Sequence, residues 1–174
     1  MDFGCGNGEF LEVAGDRCFG VELSSRRKGN RIFSNAADSP IEQYDVITLW
    51  GVLEHLNEPV RIIKKLTNKL RRGGHFVITT VDAEGTIPYY YKPPEHLTYW
   101  TRKSLYHLLE RRTGFDIRTI QEYELCQLSE IYLDRQLSRT PKEHGESIAA
   151  SSSHSLPRII TVPTNEVLVV AELI

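Results

Sequence analysis

The sequence is poor in cysteine, and its three, Cys5, Cys18 and Cys126, fall at neither C-x-x-C nor metal-ligand spacing. That argues against a disulfide scaffold and a zinc site, so no metal is expected, and it fits a reducing, cytoplasmic setting. No apolar run approaches the roughly 20 residues of a membrane span, and the first residues lack the basic and apolar regions of a signal peptide. Also missing is an excess of one charge. With 21 Lys and Arg against 23 Asp and Glu, the net charge of -2 gives no electrostatic reason to expect a nucleic-acid partner.

What is present suits one soluble domain: 174 residues, 40% of them apolar, can enclose a single sizeable core. Short β-rich runs alternate with helical patterns, the order expected of an α/β domain with a parallel sheet covered by helices. Strands are predicted at Cys18 to Leu23, Tyr44 to Leu49, His75 to Thr80, Phe115 to Ile120 and Glu166 to Leu173. The runs at 45–49 and 76–80 are rich in β-branched residues, as befits strands buried on both faces.

A helix is predicted over Pro59 to Arg72, capped by Asn57 and ended by Gly73-Gly74, with Val60, Ile63, Leu66 and Leu70 on one face. Lys64, Lys65, Lys69, Arg71 and Arg72 then occupy its second half, where they complement the helix dipole. A second helix is predicted from its cap Thr101 to a stop at Gly114, turning Leu105, Leu108 and Leu109 inward. Between Pro141 and Pro163 the composition shifts to Ser, His, Ala and Pro, which reads as a mobile connection inside one domain covering residues 1–174.

The opening, Asp2-Phe3-Gly4-Cys5-Gly6-Asn7-Gly8-Glu9-Phe10-Leu11, reads as a strand end, a glycine-rich turn and a helix start. Glycines there let the backbone approach a ligand where a Cβ would collide. The spacing is G-x-G-x-G, whereas a dinucleotide fingerprint has G-x-G-x-x-G, which counts against a nicotinamide cofactor. A purely structural tight turn is the competing reading. The next β-run ends in Gly20-Val21-Glu22-Leu23, and a carboxylate there can accept hydrogen bonds from both hydroxyls of a ribose or be an ordinary solvated strand-end group.

With these residues the sequence resembles the class I S-adenosylmethionine-dependent methyltransferases, in particular the small-molecule branch that includes ubiquinone-biosynthesis-type O-methyltransferases. D-F-G-C-G-N-G is similar to that family's first motif and G-V-E-L to its acidic second-strand motif. Tyr44-Asp45-Val-Ile-Thr-Leu-Trp50-Gly-Val-Leu-Glu54-His55-Leu resembles its fourth strand and turn, and Leu70-Arg-Arg-Gly-Gly-His-Phe-Val-Ile78 its approach to the fifth strand. The resemblance implies a Rossmann-like, doubly wound sheet of seven strands with the last antiparallel, and S-adenosyl-L-methionine as cofactor. It places Asp2, Gly4, Gly6 and Gly8 around the methionine part, Glu22 on the ribose, and Asn35 and Ala36 near the adenine, where the family usually has Asp. Leu49, Trp50 and Gly51 would line the cofactor pocket, a buried tryptophan being the alternative for Trp50.

Methyl transfer from a sulfonium needs orientation above all, and a base only where a hydroxyl must lose its proton. The segment Ile87-Pro-Tyr-Tyr-Tyr-Lys-Pro-Pro-Glu95-His96-Leu-Thr-Tyr-Trp100 follows the fifth strand, where open α/β sheets place ligand crevices, and the pattern P-P-E-H-L-x-Y-W-T-x-x-S-L that begins within it resembles the family segment that closes over the acceptor. His96 is the preferred base, against a reading in which Glu95 and His96 only pin the loop. His55 is the second candidate, with Glu54 as its orienting carboxylate. His75, His107, His144 and His154 have no comparable context. Tyr89, Tyr90, Tyr91 and Trp100 suit a flat phenol or quinol, and equally an internal aromatic cluster.

Only Met1 precedes Asp2, so the first strand is expected to be nearly absent and the chain to be an N-terminally truncated or unusually short member. The expected activity is methyl transfer to a small-molecule acceptor, through a hydroxyl. A non-catalytic methyltransferase-like partner subunit and a nicotinamide-dependent oxidoreductase are the rivals.

Overall fold

Two apolar runs are wholly enclosed: Ile47 and Leu49 from one strand, Phe76 and Ile78 from its neighbour, all without solvent exposure. The computed structural model describes residues 1–24, 29–85, 91–137 and 157–174. These form two compact units, one of Met1–Glu122 with Asn165–Ile174 and one of Tyr123–Thr164.

The seven strands are β1 (Asp2–Phe3), β2 (Gly20–Val21), β3 (Ile32–Phe33), β4 (Tyr44–Trp50), β5 (Leu70–Val81), β6 (Phe115–Leu128) and β7 (Ile159–Leu173). Their order in the sheet is β3-β2-β1-β4-β5-β7-β6. The pairings β3 to β2, β2 to β1, β1 to β4 and β4 to β5 are parallel. β7 runs antiparallel to β5, with Val81 opposite Glu166 and Phe76 opposite Ala171. This is the expected α/β sheet with an antiparallel last strand. On β7, Val167, Val169 and Ala171 are buried and alternate with less buried neighbours, the period-two pattern of a strand with one inward face.

Four α-helices are described: α1 (Glu9–Ala14), α2 (Pro59–Thr67), α3 (Arg102–Tyr106) and α4 (Ser129–Leu137). α3 starts as predicted, with a reciprocal capping box: Ser104 N donates to Thr101 Oγ1 at 3.1 Å and Thr101 N donates to Ser104 Oγ at 2.9 Å. A wider π-type turn over His107–Arg112 continues it, and Leu105, Leu108 and Leu109 are buried as expected.

The first predicted helix is shorter than expected. It ends at Thr67, its cap is Glu58 rather than Asn57, and Leu70 already begins β5. Gly73-Gly74 therefore does not stop a helix. It lies in a bulge, since Tyr44 pairs with Leu70 but Val46 with His75, so the β5 side carries the extra residues. Of the basic cluster, Lys64 and Lys65 sit in the last turn of α2, while Arg71 lies on β5 with its Nε 2.6 Å from Asp45 Oδ1.

Strand bounds differ too. β2 is shorter than Cys18 to Leu23, β6 runs past Ile120, and β3, being two residues long, carries no periodicity for the sequence to show. β7 begins at Ile159, so 159–163 are strand and not connection. Within the smaller unit Thr164 Oγ1 donates to Tyr123 O at 2.6 Å and Ser129 N to Arg158 O at 3.0 Å. Residues 141–156, the remainder of that expected connection, lie outside the described residues. Among the described residues no helix is long and apolar enough to cross a membrane.

Candidate functional site

The glycine turn follows β1 and is held by the end of β2: Gly4 N and Cys5 N both donate to Val21 O, at 2.7 and 3.1 Å. Gly4 has φ of +78°, and a Cβ there would lie 2.5 Å from Val52 Cγ2, so only glycine fits. Gly6 has φ of +54°, and a Cβ there would meet no atom within 4 Å. The turn thus packs against the protein at Gly4 and faces open space at Gly6. Gly8 N donates to Cys5 O at 2.9 Å and the chain passes into α1.

Glu22 reaches back to this turn. Its Oε2 accepts from Gly6 N at 3.0 Å and its Oε1 from Ser24 N at 2.7 Å. Partial burial works against its charge, but the N–H groups of Ser24 and Gly6 outweigh that and hold its pKa below the usual glutamate value. Each oxygen keeps a lone pair for another donor. Behind it lies a cavity of about 280 Å³ edged by Val21, Leu23, Ser34, Asn35 and Ala36. Asn35 Oδ1 accepts from Ala37 N at 3.1 Å and caps a short 3-10 turn.

Two of the residues expected at the cofactor, Leu49 and Asp2, are buried. Leu49 has 0% exposure and belongs to the core. Asp2 is 3% exposed, and its Oδ1 accepts from Thr48 Oγ1 at 2.7 Å. Its carboxyl is pushed up by burial, against the opposing effect of the Thr48 bond, and it links β1 to β4 beneath the turn. Trp50 packs edge-on to Phe10, ring centres 5.4 Å apart, and its buried Nε1 has no hydrogen-bond partner among the described residues. Gly51 N donates to Thr79 O and Thr79 Oγ1, which fixes the chain as it leaves β4.

On the other side of β4 the turn Leu53–His55 meets the segment 95–98. Glu54 O accepts from Leu97 N at 2.8 Å and from Thr98 N at 3.0 Å, and Thr98 Oγ1 donates to Leu53 O at 3.3 Å. This stitching brings the two predicted histidines together, ring centres 4.9 Å apart and nearly perpendicular. His55 is exposed, and its Nδ1 is 2.8 Å from Glu95 O. His96 is 7% exposed, and its Nδ1 is buried with no partner among the described residues.

Glu54 does not orient His55 as expected; its buried carboxylate accepts from Thr80 Oγ1 at 2.8 Å, and the Glu95 carbonyl holds the imidazole instead. One donor atom each from Glu54, His55 and His96 lies within 4.8 Å of the others, so the three can converge on one ion. Tyr91 stacks on Tyr99 at 5.0 Å and is 69% exposed, while Trp100 Nε1 donates to Thr98 Oγ1; Tyr89 and Tyr90 lie outside the described residues.

Sequence reasoning missed Glu166. Burial first, then the charge of Glu54, push its pKa up to about 7, with Lys92 opposing. An acidic residue heading the apolar run Val167-Leu-Val-Val-Ala was the available signal.

Residues 1–120 match the family model described as a methyltransferase domain. No curated protein matches the chain in sequence. Among solved structures the chain is similar to a SAM-dependent methyltransferase from Archaeoglobus fulgidus, at 21% identity and TM-score 0.64, over 98% of this chain and 84% of that one. It is similar to phosphoethanolamine N-methyltransferase 2 of Haemonchus contortus in complex with S-adenosyl-L-methionine, at 16% identity and TM-score 0.61, over 99% and 47%. A third likeness is to the complex between the Haloferax volcanii Trm112 methyltransferase activator and a methyltransferase, at 13% identity and TM-score 0.63, over 98% and 80%. At these identities the likeness is one of fold.

Proposed function

Because this chain belongs to the methyltransferase domain family, with S-adenosylmethionine as its cofactor, we propose that it transfers the methyl group to a hydroxyl of a small-molecule acceptor. The observation that carries this reading is the Gly6 to Glu22 hydrogen bond, which joins a ligand-facing turn to a carboxylate with lone pairs to spare. The residues present fit the cofactor: open space above Gly6 for the methionine part, Glu22 for the ribose hydroxyls, and the cavity edged by Asn35 and Ala36 for the adenine. When bound, the cofactor supplies a methyl group on an already activated leaving group.

The protein's share is orientation and proton removal. The turn after β1 sets the direction of transfer, and Trp50 with Phe10 shields its flank. His96 takes the hydroxyl proton on its imidazole, whose Nδ1 makes no hydrogen bond among the described residues. One carboxylate oxygen of Glu54 and one imidazole nitrogen of His96 lie within 4.8 Å of each other. His55 is the second candidate base, through Nε2.

Calorimetry with S-adenosylhomocysteine, followed by turnover on a panel of phenols, sugars and acids, tests the reading. Binding together with methylation of a hydroxyl supports it. Binding with no turnover on any acceptor favours a non-catalytic partner subunit, and absence of binding overturns the cofactor assignment.

A further inference from the structure

We propose that the groove between α2 and α3 is the docking site for an acidic amphipathic helix of a partner protein, and that this helix holds the 95–98 segment against the 53–55 turn. Neither part rests on the methyl-transfer reading.

The groove has a volume of about 450 Å³ and lies between Val60 on α2 and the stretch from Trp100 to Arg112. Its floor is apolar, made by Val60, Leu108 and the partly buried Trp100. Its wall carries Lys103, His107 and Arg112, all exposed, and no acidic side chain lines it among the described residues. The wide turn sets this row: Lys103 to His107 is a step of four, but His107 to Arg112 is a step of five, the step of a π turn.

A second open groove, of about 560 Å³, runs along α2, shares Val60 with the first and carries Lys64 and Lys65. Its acidic residue, Glu58, is already paired with Arg61. None of Lys64, Lys65, Lys103, His107 and Arg112 forms an ion pair among the described residues. An apolar trough thus has basic borders on a chain whose net charge is -2.

Charge and shape together decide the occupant. The basic borders call for an acidic partner, since complementary charge steers association and fixes register. A small ligand is taken up by a site that encloses most of its surface, whereas these grooves are open and continue one into the other. An apolar trough between helices is the seat of an amphipathic helix, which lays its apolar stripe on the floor and its flanking carboxylates on the borders.

Trp100 links the groove to the loop. Its Nε1 donates to Thr98 Oγ1 at 2.9 Å, and Thr98 Oγ1 donates to Leu53 O at 3.3 Å. Lifting the segment withdraws Thr98 from both, so a helix packed on Trp100 favours the closed position.

The test uses the full chain and a fluorescein-labelled peptide of about 15 residues, with leucine at i, i+3, i+4 and i+7 and glutamate elsewhere. Anisotropy should show saturable binding, and a peptide of the same residues with the stripe scrambled should bind more weakly. Lys103→Glu with Arg112→Glu should weaken the acidic peptide by roughly tenfold. The same variant should prefer a peptide with lysine in place of glutamate, which also shows that it is folded. Saturating peptide should slow deuterium exchange at the Leu97 and Thr98 amides, by up to about tenfold at about ten times its Kd. Absence of binding, equal affinity for the scrambled peptide, or unchanged affinity in the charge-reversed variant would overturn the docking site. Capture by phosphatidylserine vesicles without peptide binding would overturn it in favour of a lipid surface. A dimer in sedimentation that Val60→Glu dissolves would overturn it in favour of a second copy. Peptide binding with unchanged exchange would overturn the hold on the loop alone.

Discussion

The backbone N–H of Gly6 donates to Glu22 Oε2 across 3.0 Å, so the turn after the first strand is tied to the end of the second. Glu22 therefore holds the turn as well as offering acceptors to a ribose. Glu22→Ala should weaken S-adenosylhomocysteine by roughly ten- to hundred-fold, since hydrogen bonds to charged groups are worth about 1.5 to 3 kcal/mol. Glu22→Gln should fall between, because its amide NH₂ cannot accept from a backbone N–H. Calorimetry showing full affinity in a folded Glu22→Ala variant removes Glu22 from the site.

His96→Ala should lower turnover on a hydroxyl acceptor by about 10² to 10⁴, with little change in cofactor affinity. Steady-state kinetics beside calorimetry separates the two. Equal losses in both would assign His96 to loop structure.

Cys5 should resist alkylation. Burial first, then the charges of Asp2 and Glu22, push its thiol up to about 11, which leaves about a thousandth of it as thiolate at pH 8. Its rate with iodoacetamide should rise about tenfold per pH unit in that range, and the exposed Cys126 should react first. S-adenosylhomocysteine should slow Cys5 further. Peptide mass spectrometry over time reads each site, and Cys5 reacting before Cys126 at pH 8 would contradict its surroundings.

Thr48→Val should destabilise the fold by about 1 to 3 kcal/mol at pH 7, because the buried Asp2 carboxylate loses its hydroxyl donor. The sign with pH follows from the raised pKa of Asp2. Its folded pKa lies above the unfolded value, so its stabilising contribution is complete at low pH and is lost as pH rises through the folded pKa. Removing the Thr48 bond, which favours the charged form, raises that pKa further. The deficit of Thr48→Val should thus be larger at pH 7 than at pH 4, as urea unfolding at the two values would measure. Equal deficits would show that the hydroxyl does not act through the carboxylate.

Features with a local cause were legible in the sequence. The Thr101 cap, the inward leucines of the helix it starts and the β-branched run of β4 depend on neighbours a few residues away. The Gly73-Gly74 bulge depends on the register with β4, and a glycine pair after an apolar helical pattern looks the same whether it stops a helix or bends a strand. Glu22 and the glycine turn could be named from their order, but not the bond between them. The sequence offers His55 and His96 as rival bases; their meeting comes from backbone bonds between 53–54 and 97–98. Cysteine spacing says nothing about a glutamate and two histidines gathered by a loop.

The carbonyl of Glu54, which accepts from both Leu97 and Thr98, makes the loop a latch. Both donors converge on one oxygen, so lifting the loop from the 53–55 turn breaks both bonds in one event. The Leu97 and Thr98 amides should consequently exchange hydrogen for deuterium at matched, slow rates that mark a single opening, readable by NMR. A loop that opens as a unit carries His96 away with it, so the two imidazoles are either in register with each other or apart. Access for an acceptor and assembly of the paired histidines are then opposite positions of one movement.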